Sequence, residues 1–203
     1  MNPYNIVRDF EAALCDYTGA KYAVTTTSCT MALLLACRWH YENGGVEGDF
    51  VTVPKKTYVG VPMSVIHSGY TVEFEDKGWT GEYWLDPLPV IDSARRFTSG
   101  MHYQNTFRCV SFHASKILGD TQGGAILHDD DEADAWLRKA RFDGRTEGVA
   151  PKDDNFILGY HCYMSPDVAA RLLLKLSVLP KHNADLPNDD YADLSLQEVF
   201  KCN

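Results

Sequence analysis

The 203-residue sequence is poor in basic residues, with 19 Lys and Arg against 28 Asp and Glu and a formal net charge of −9. A nucleic-acid surface needs clustered cations to neutralise phosphates, so this deficit argues against nucleic acid as a partner. It does not exclude a small anion, which a few placed donors can hold. Long apolar runs are also missing. The densest, Met31 to Cys37, is too short to span a bilayer, which argues against a membrane partner. Met1 to Phe10 contains no uninterrupted apolar core of the kind a secretory signal needs. Cysteine occurs six times (Cys15, Cys29, Cys37, Cys109, Cys162, Cys202), but no C-x-x-C pair and no zinc-finger spacing of Cys and His is present. These absences predict a reduced, cytoplasmic chain without a metal site or a disulfide framework. No G-x-G-x-x-G follows the first strand, which disfavours a nicotinamide-binding Rossmann protein.

What is present is ordinary globular material, 45% hydrophobic and 23% charged. The length suits one domain with a sizeable core. Helical and strand patterns alternate. Ile6, Phe10, Leu14 and Tyr17 share one helical face that Gly19 ends. Tyr22 to Thr25 reads as a short strand feeding a helix that buries Met31, Leu34, Leu35 and Trp39. Strands are expected at Val51–Val53, Val72–Phe74, Val90–Ile91, Cys109–Phe112 and Ala125–Leu127, with a helix from about Thr57 to Ser68. Asp76 to Pro89 reads as irregular. Ala133, Trp136, Leu137 and Ala140 mark a further helix. Ser165-Pro166-Asp167 reads as a helix start, with Ser as cap, followed by a stripe of Val168, Leu172, Leu176 and Leu179. The expectation is an α/β domain over residues 1–179, with a mixed, mostly parallel sheet between helices. A loosely packed tail, 180–203, follows it, with one short helix near Leu196 to Phe200.

Three segments carry chemistry. Thr27-Ser28-Cys29-Thr30 sits where a strand passes into a helix, a place where free N–H groups and hydroxyls can hold a phosphate. Taken alone, plain N-capping is the commoner explanation. Asp92, ending the Val90-Ile91 strand, points to the crevice at strand carboxyl ends where α/β proteins bind ligands, or else caps the next turn. Lys116 follows the strand Cys109–Phe112 and precedes Gly119 and Gly123-Gly124. Most lysines after a strand are solvated charges, yet a Schiff-base lysine would be placed and desolvated in such a setting.

In this order the segments resemble the DegT/StrS-like sugar-nucleotide aminotransferases, pyridoxal 5′-phosphate (PLP) enzymes of fold type I. Ser28-Cys29-Thr30-Met31-Ala32-Leu33 is similar to the family's phosphate turn, and Pro54-Lys55-Lys56-Thr57-Tyr58 to its Pro-x-x-Thr-aromatic element. Ile91-Asp92-Ser93-Ala94 matches its strand end, Ser111-Phe112-His113-Ala114-Ser115-Lys116 its lysine motif, and Gly159 to Ser165 its Gly-Tyr-Asn-Tyr-Arg-Met-Ser. The resemblance implies that Lys116 holds PLP as a Schiff base and moves the reaction's proton. It implies that Asp92 pairs with the pyridine nitrogen and that Tyr58 stacks on the ring. It places Ser28, Cys29, Thr30 and Ser111 on the phosphate, with His113 and Arg95 also beside the cofactor. His161 would reach a neighbouring subunit's cofactor, implying a homodimer with shared sites. The implied reaction moves an amino group from an amino acid, glutamate in the first instance, to a keto-sugar nucleotide.

The sequence also departs from that pattern. Arg95 stands where the family has Gln or His, Thr121-Gln122-Gly123-Gly124 where it has Gly-Glu-Gly-Gly, and His161 and Tyr163 where it has Asn and Arg. The stretch between Phe74 and Val90 is short, and the small C-terminal domain is largely missing. Two alternatives follow, a PLP-binding homologue without catalysis and a PLP-dependent sugar dehydratase. Dehydratases of this kind usually carry His in place of the lysine.

Overall fold

The computed structural model describes residues 2–45, 49–188 and 190–201. It is an α/β arrangement of five α-helices around a mixed sheet. Helix α1 (Asn5–Thr18) ends at Gly19, whose φ of +82° gives a left-handed cap with its N–H on the Cys15 carbonyl. Strand β1 (Tyr22–Thr26) feeds α2 (Cys29–Glu42), and β2 (Phe50–Pro54) leads to α3 (Gly60–His67) and β3 (Thr71–Glu75). Then come β4 (Tyr83–Trp84), β5 (Val90–Asp92), β6 (Phe107–Ser111), β7 (Gly124–His128), α4 (Asp131–Ala140) and α5 (Pro166–Ser177).

Five strands pair in the order β1-β7-β6-β5-β4, while β2 and β3 form a separate parallel pair. A single bridge between Thr52 and Asp86, with the Thr52 N–H on the Asp86 carbonyl at 2.7 Å, joins the two. The sheet is mixed as expected, but parallel pairing does not predominate. Only β5–β6 and β2–β3 are parallel, and β1–β7, β6–β7 and β4–β5 are antiparallel. The physical reason lies partly in the Asp76–Pro89 stretch. A parallel return needs a crossover of a dozen or more residues, usually through a helix, whereas a short connection can only come back antiparallel. The stretch read as irregular therefore supplies β4 at the sheet edge.

Side chains alternate across the sheet with the strand period of two. Val24, Cys109 and Ile126 face α2, α3 and α4, whereas Ala23, Val110, Ala125 and Leu127 face α1 and α5. The stripe on α5, Val168, Leu172 and Leu176, is buried against α1 within the same chain. It needs no second subunit to cover it, so an apolar stripe at helical spacing is no sign of an interface here. Ser165 stands at the N-cap position of α5 but makes no capping bond. Its hydroxyl donates to Asp167 instead, at 2.6 Å.

The segment after residue 179 is not a loose tail. Asn183 donates from Nδ2 to the Tyr17 hydroxyl and the Phe97 carbonyl, and Asp185 takes both Nε and Nη2 of Arg96. The Leu186 N–H meets the Arg95 carbonyl and the Leu194 N–H meets that of Lys55. Leu194 and Phe200 are buried, the latter edge-on to Phe74. The segment is polar because its ties are hydrogen bonds and ion pairs, which hydrophobic periodicity does not register. The expected short helix is present as a 3-10 turn, Glu198–Phe200. Cys15, Cys29, Cys37, Cys109 and Cys162 are unpaired, and Cys202 lies outside the described residues. Among the described residues, no helix is long and apolar enough to cross a membrane.

Candidate active site

A cavity of about 270 Å³ opens at the carboxyl ends of β5 and β6 and the amino end of α2. Ser28, Cys29, Thr30, Tyr58, Asp92, Ser111, His113 and Lys116 all line it, so most of the residues expected from the sequence converge. Two do not line it. The buried Arg95 guanidinium is directed to the Pro187 carbonyl and the Tyr191 hydroxyl. His161 is exposed on a separate surface, its Nδ1 within 3.1 Å of both Asp143 carboxylate oxygens.

The amino end of α2 forms one end of the cavity. Ser28 is its N-cap, accepting from the Met31 N–H at 3.2 Å, so the capping reading holds. The first-turn N–H groups of a 14-residue helix nevertheless face the cavity mouth with the positive end of its dipole. Gly124 lets the start of β7 lie against this turn. A Cβ there would come within 2.4 Å of the Cys29 nitrogen and 2.5 Å of the Ser28 carbonyl carbon. Gly124→Ala is expected to push the α2 terminus away, and phosphate titration by isothermal calorimetry should show affinity weakened by about tenfold or more.

Lys116 is positioned by a pinned loop. The Phe112 N–H bonds the Gly123 carbonyl, the Asp120 N–H bonds Phe112, and the Lys116 N–H closes a turn onto His113. Asp120 anchors the loop to α5 through Arg171 and Lys175, which hold its carboxyl well below the usual range. Asp92 is buried, only 4% exposed. Its Oδ1 accepts the Ala94 N–H at 2.8 Å, and its Oδ2 accepts the Tyr83 hydroxyl at 2.9 Å. Burial raises its proton affinity, while those two donors and then the Lys116 and Arg95 charges pull it back. Burial also pushes the Cys29 thiol well up, so Cys29 remains a neutral lining group.

Thr57, Trp79, Tyr191 and Gln122 are among the lining residues to which sequence reasoning assigned no place at the site. Thr57 and Gln122 lie inside the family motifs named above. Trp79 and Tyr191 come from stretches with no periodic pattern, and Tyr191 arrives on the C-terminal segment to stack near Trp79.

Comparison with known proteins identifies the family and the fold. The DegT/DnrJ/EryC1/StrS aminotransferase family matches residues 1–87 and 98–186. A UDP-4-amino-4,6-dideoxy-N-acetyl-beta-L-altrosamine transaminase of Campylobacter jejuni is 25% identical over 88% of this chain and 58% of its own length. The protein called AtS13 from Actinomadura melliaura superposes with a TM-score of 0.75, at 19% identity, over 86% of this chain and 60% of its own. Helicobacter pylori PseC, an aminotransferase of pseudoaminic acid biosynthesis, superposes with a TM-score of 0.68 at 21% identity, over 85% of this chain and 57% of its own. The chain thus spans about three-fifths of the length of such relatives. The family match extends over most of the sequence, though Asp92, Ala94 and Tyr191 of the cavity lie outside its ranges, and the chain belongs to the DegT/DnrJ/EryC1/StrS aminotransferase family.

Proposed function

We propose that this chain binds PLP in the 270 Å³ cavity and transfers an amino group from an amino acid, glutamate first among candidates, to a keto-sugar nucleotide. One observation carries the reading. A single cavity gathers a helix N-terminus, a lysine and a buried carboxylate, the three groups that PLP's phosphate, aldehyde and pyridine nitrogen require. When bound, PLP supplies an electron sink for the carbon that gains or loses the amino group. The α2 terminus, with Ser28, Thr30 and Ser111, binds the phosphate. Asp92, its carboxylate fixed by the Ala94 N–H and the Tyr83 hydroxyl, keeps a proton on the ring nitrogen. The Lys116 amine forms the covalent link and moves the proton between substrate and cofactor carbons. Tyr58, exposed at the mouth, covers the ring, while Trp79 and Tyr191 narrow the opening to water. His113 sits beside Lys116 and borders the phosphate end. The presence of Lys116 rather than His speaks for transamination over dehydration.

The test is to add PLP, follow the yellow band, and then add glutamate and assay 2-oxoglutarate, with keto-sugar nucleotides as acceptors. Conversion supports the enzyme; a yellow protein inert to every donor supports a bare binder. Asp92→Asn is expected to fold normally and still take up PLP, but with turnover lower by roughly 10²-fold, because a neutral amide holds the ring proton poorly. Equal rates in a stopped-flow glutamate assay would leave Asp92 as a turn cap only.

The proposed assembly is a homodimer with shared sites. Phe156 and Leu158 are 59% and 69% exposed on the same connecting segment that carries His161. Apolar side chains presented beside a motif expected to reach another subunit suit an isologous contact. Light scattering should give twice the chain mass at micromolar concentration with PLP present, and Leu158→Glu should shift it toward the monomer.

A further inference from the structure

Tyr83 stands on β4, in the short stretch between β3 and β5, and is 4% exposed. Its hydroxyl donates to Asp92 Oδ2 at 2.9 Å and lies 2.5 Å from Thr57 Oγ1. An ionised carboxylate only accepts, so the one Tyr83 proton points to Asp92 and the Thr57 proton points to Tyr83. The result is a directed chain, Thr57 to Tyr83 to Asp92, covered by the Trp79 ring edge-on at 4.7 Å. Asp92 Oδ1 is held separately by the Ala94 N–H. Each carboxylate oxygen therefore has a fixed donor, and rotating the group breaks both bonds.

We propose that Tyr83 is a positioning residue, whose hydroxyl sets the plane and the basicity of the Asp92 carboxylate presented to the cofactor's ring nitrogen. The inference rests on the PLP reading and deepens it. Burial and the neighbouring Asp92 charge hold the Tyr83 phenol well above its ordinary range, so it remains a donor at working pH. The other groups facing Asp92 are the Lys116 and Arg95 charges and the Cys29 and Cys109 thiols. Burial keeps both thiols protonated, so neither adds a competing charge. The alternative is a buried tyrosine that merely satisfies its own hydroxyl. Such a residue would affect stability and leave the visible band of the PLP-bound protein alone.

Tyr83→Phe keeps the ring against Trp79 and deletes the donor. Carboxyl ¹³C NMR of Asp92, recorded without PLP, should show its titration midpoint at higher pH than in the parent, because a donor that favours the charged form is gone. Thr57→Val should move it the same way by less, since it removes only the bond that polarises Tyr83. With PLP bound, the midpoint of the pH-dependent visible band should also rise, because the ring proton shifts toward the more basic carboxylate. An Asp92 midpoint unchanged in both variants overturns the role, whether or not PLP binds. So does a moved Asp92 midpoint beside an unmoved visible band in a yellow protein. A parent that takes up no PLP overturns the proposed function and this role together, a result distinct from a yellow parent whose variants titrate as it does. Should Tyr83→Phe fail to fold, Thr57→Val alone decides.

Discussion

Lys116→Arg is expected to give a folded protein that no longer forms a borohydride-reducible link with PLP and no longer converts glutamate to 2-oxoglutarate at a useful rate. Guanidinium stays protonated at working pH, so it can neither form the link nor accept a proton. Loss of proton transfer alone should lower the rate by about 10²–10⁴-fold, and loss of the covalent link adds to that. The fold should tolerate the change. The loop that carries Lys116 is held by backbone bonds and by the ion pairs of Asp120 with Arg171 and Lys175 on α5. Reduction of the parent followed by peptide mapping should place the pyridoxyl group on Lys116. A label on Lys56 or Lys139, or full activity in the arginine variant, would remove Lys116 from the centre of the site.

The second large effect is on stability. Glu11 on α1 is buried, and its carboxylate bonds Arg141, Arg138 at 2.7 Å, and the Thr25 N–H and hydroxyl at 2.9 and 2.8 Å. These ties join α1, β1 and α4 beside a groove of about 650 Å³. Glu11→Gln leaves the buried Arg141 charge without its counter-charge, and breaking such a pair costs about 3–5 kcal/mol. For a chain of this size, thermal unfolding should drop by roughly 10 °C. The pH dependence has a definite sign. Burial alone would raise the Glu11 pKa, but Arg141 and then Arg138 outweigh it and hold the carboxyl below its ordinary value. The stability so contributed is complete above the unfolded carboxyl range, about pH 4.3, and is lost as pH falls through the lower folded value. Glu11→Gln should therefore be less stable than the parent at pH 7, with the gap closing under acid. A variant as stable as the parent at pH 7, by calorimetry, would show that the pair contributes little.

Much of the site is legible in the sequence. Lys116, Asp92 and the Ser28–Thr30 turn lie at junctions where a strand ends or a helix begins, and those junctions are written locally in apolar runs, caps and glycines. Helices α1, α2 and α4 are likewise readable, because each repeats its apolar residues at helical spacing, and α1 ends at the recognisable stop Gly19. Arg95 shows the limit of motif position. Its place in the sequence suggests a cofactor contact, yet its side chain is held by Pro187 and Tyr191, residues more than ninety positions away.

The sequence by itself indicated the element order apart from β4 and, through its motifs, singled out Lys116, Asp92 and the Ser28–Thr30 turn as candidates, because those features depend on neighbours within a few residues. Only the tertiary structure decided strand direction at the shortened edge, the packing of α5 on α1 and the return of residues 180–201 to the site. It alone also decided the Thr57–Tyr83–Asp92 chain. Each of these depends on a hydrogen bond or apolar contact between segments far apart in the chain, and the partners in such a contact leave no periodic mark in either segment.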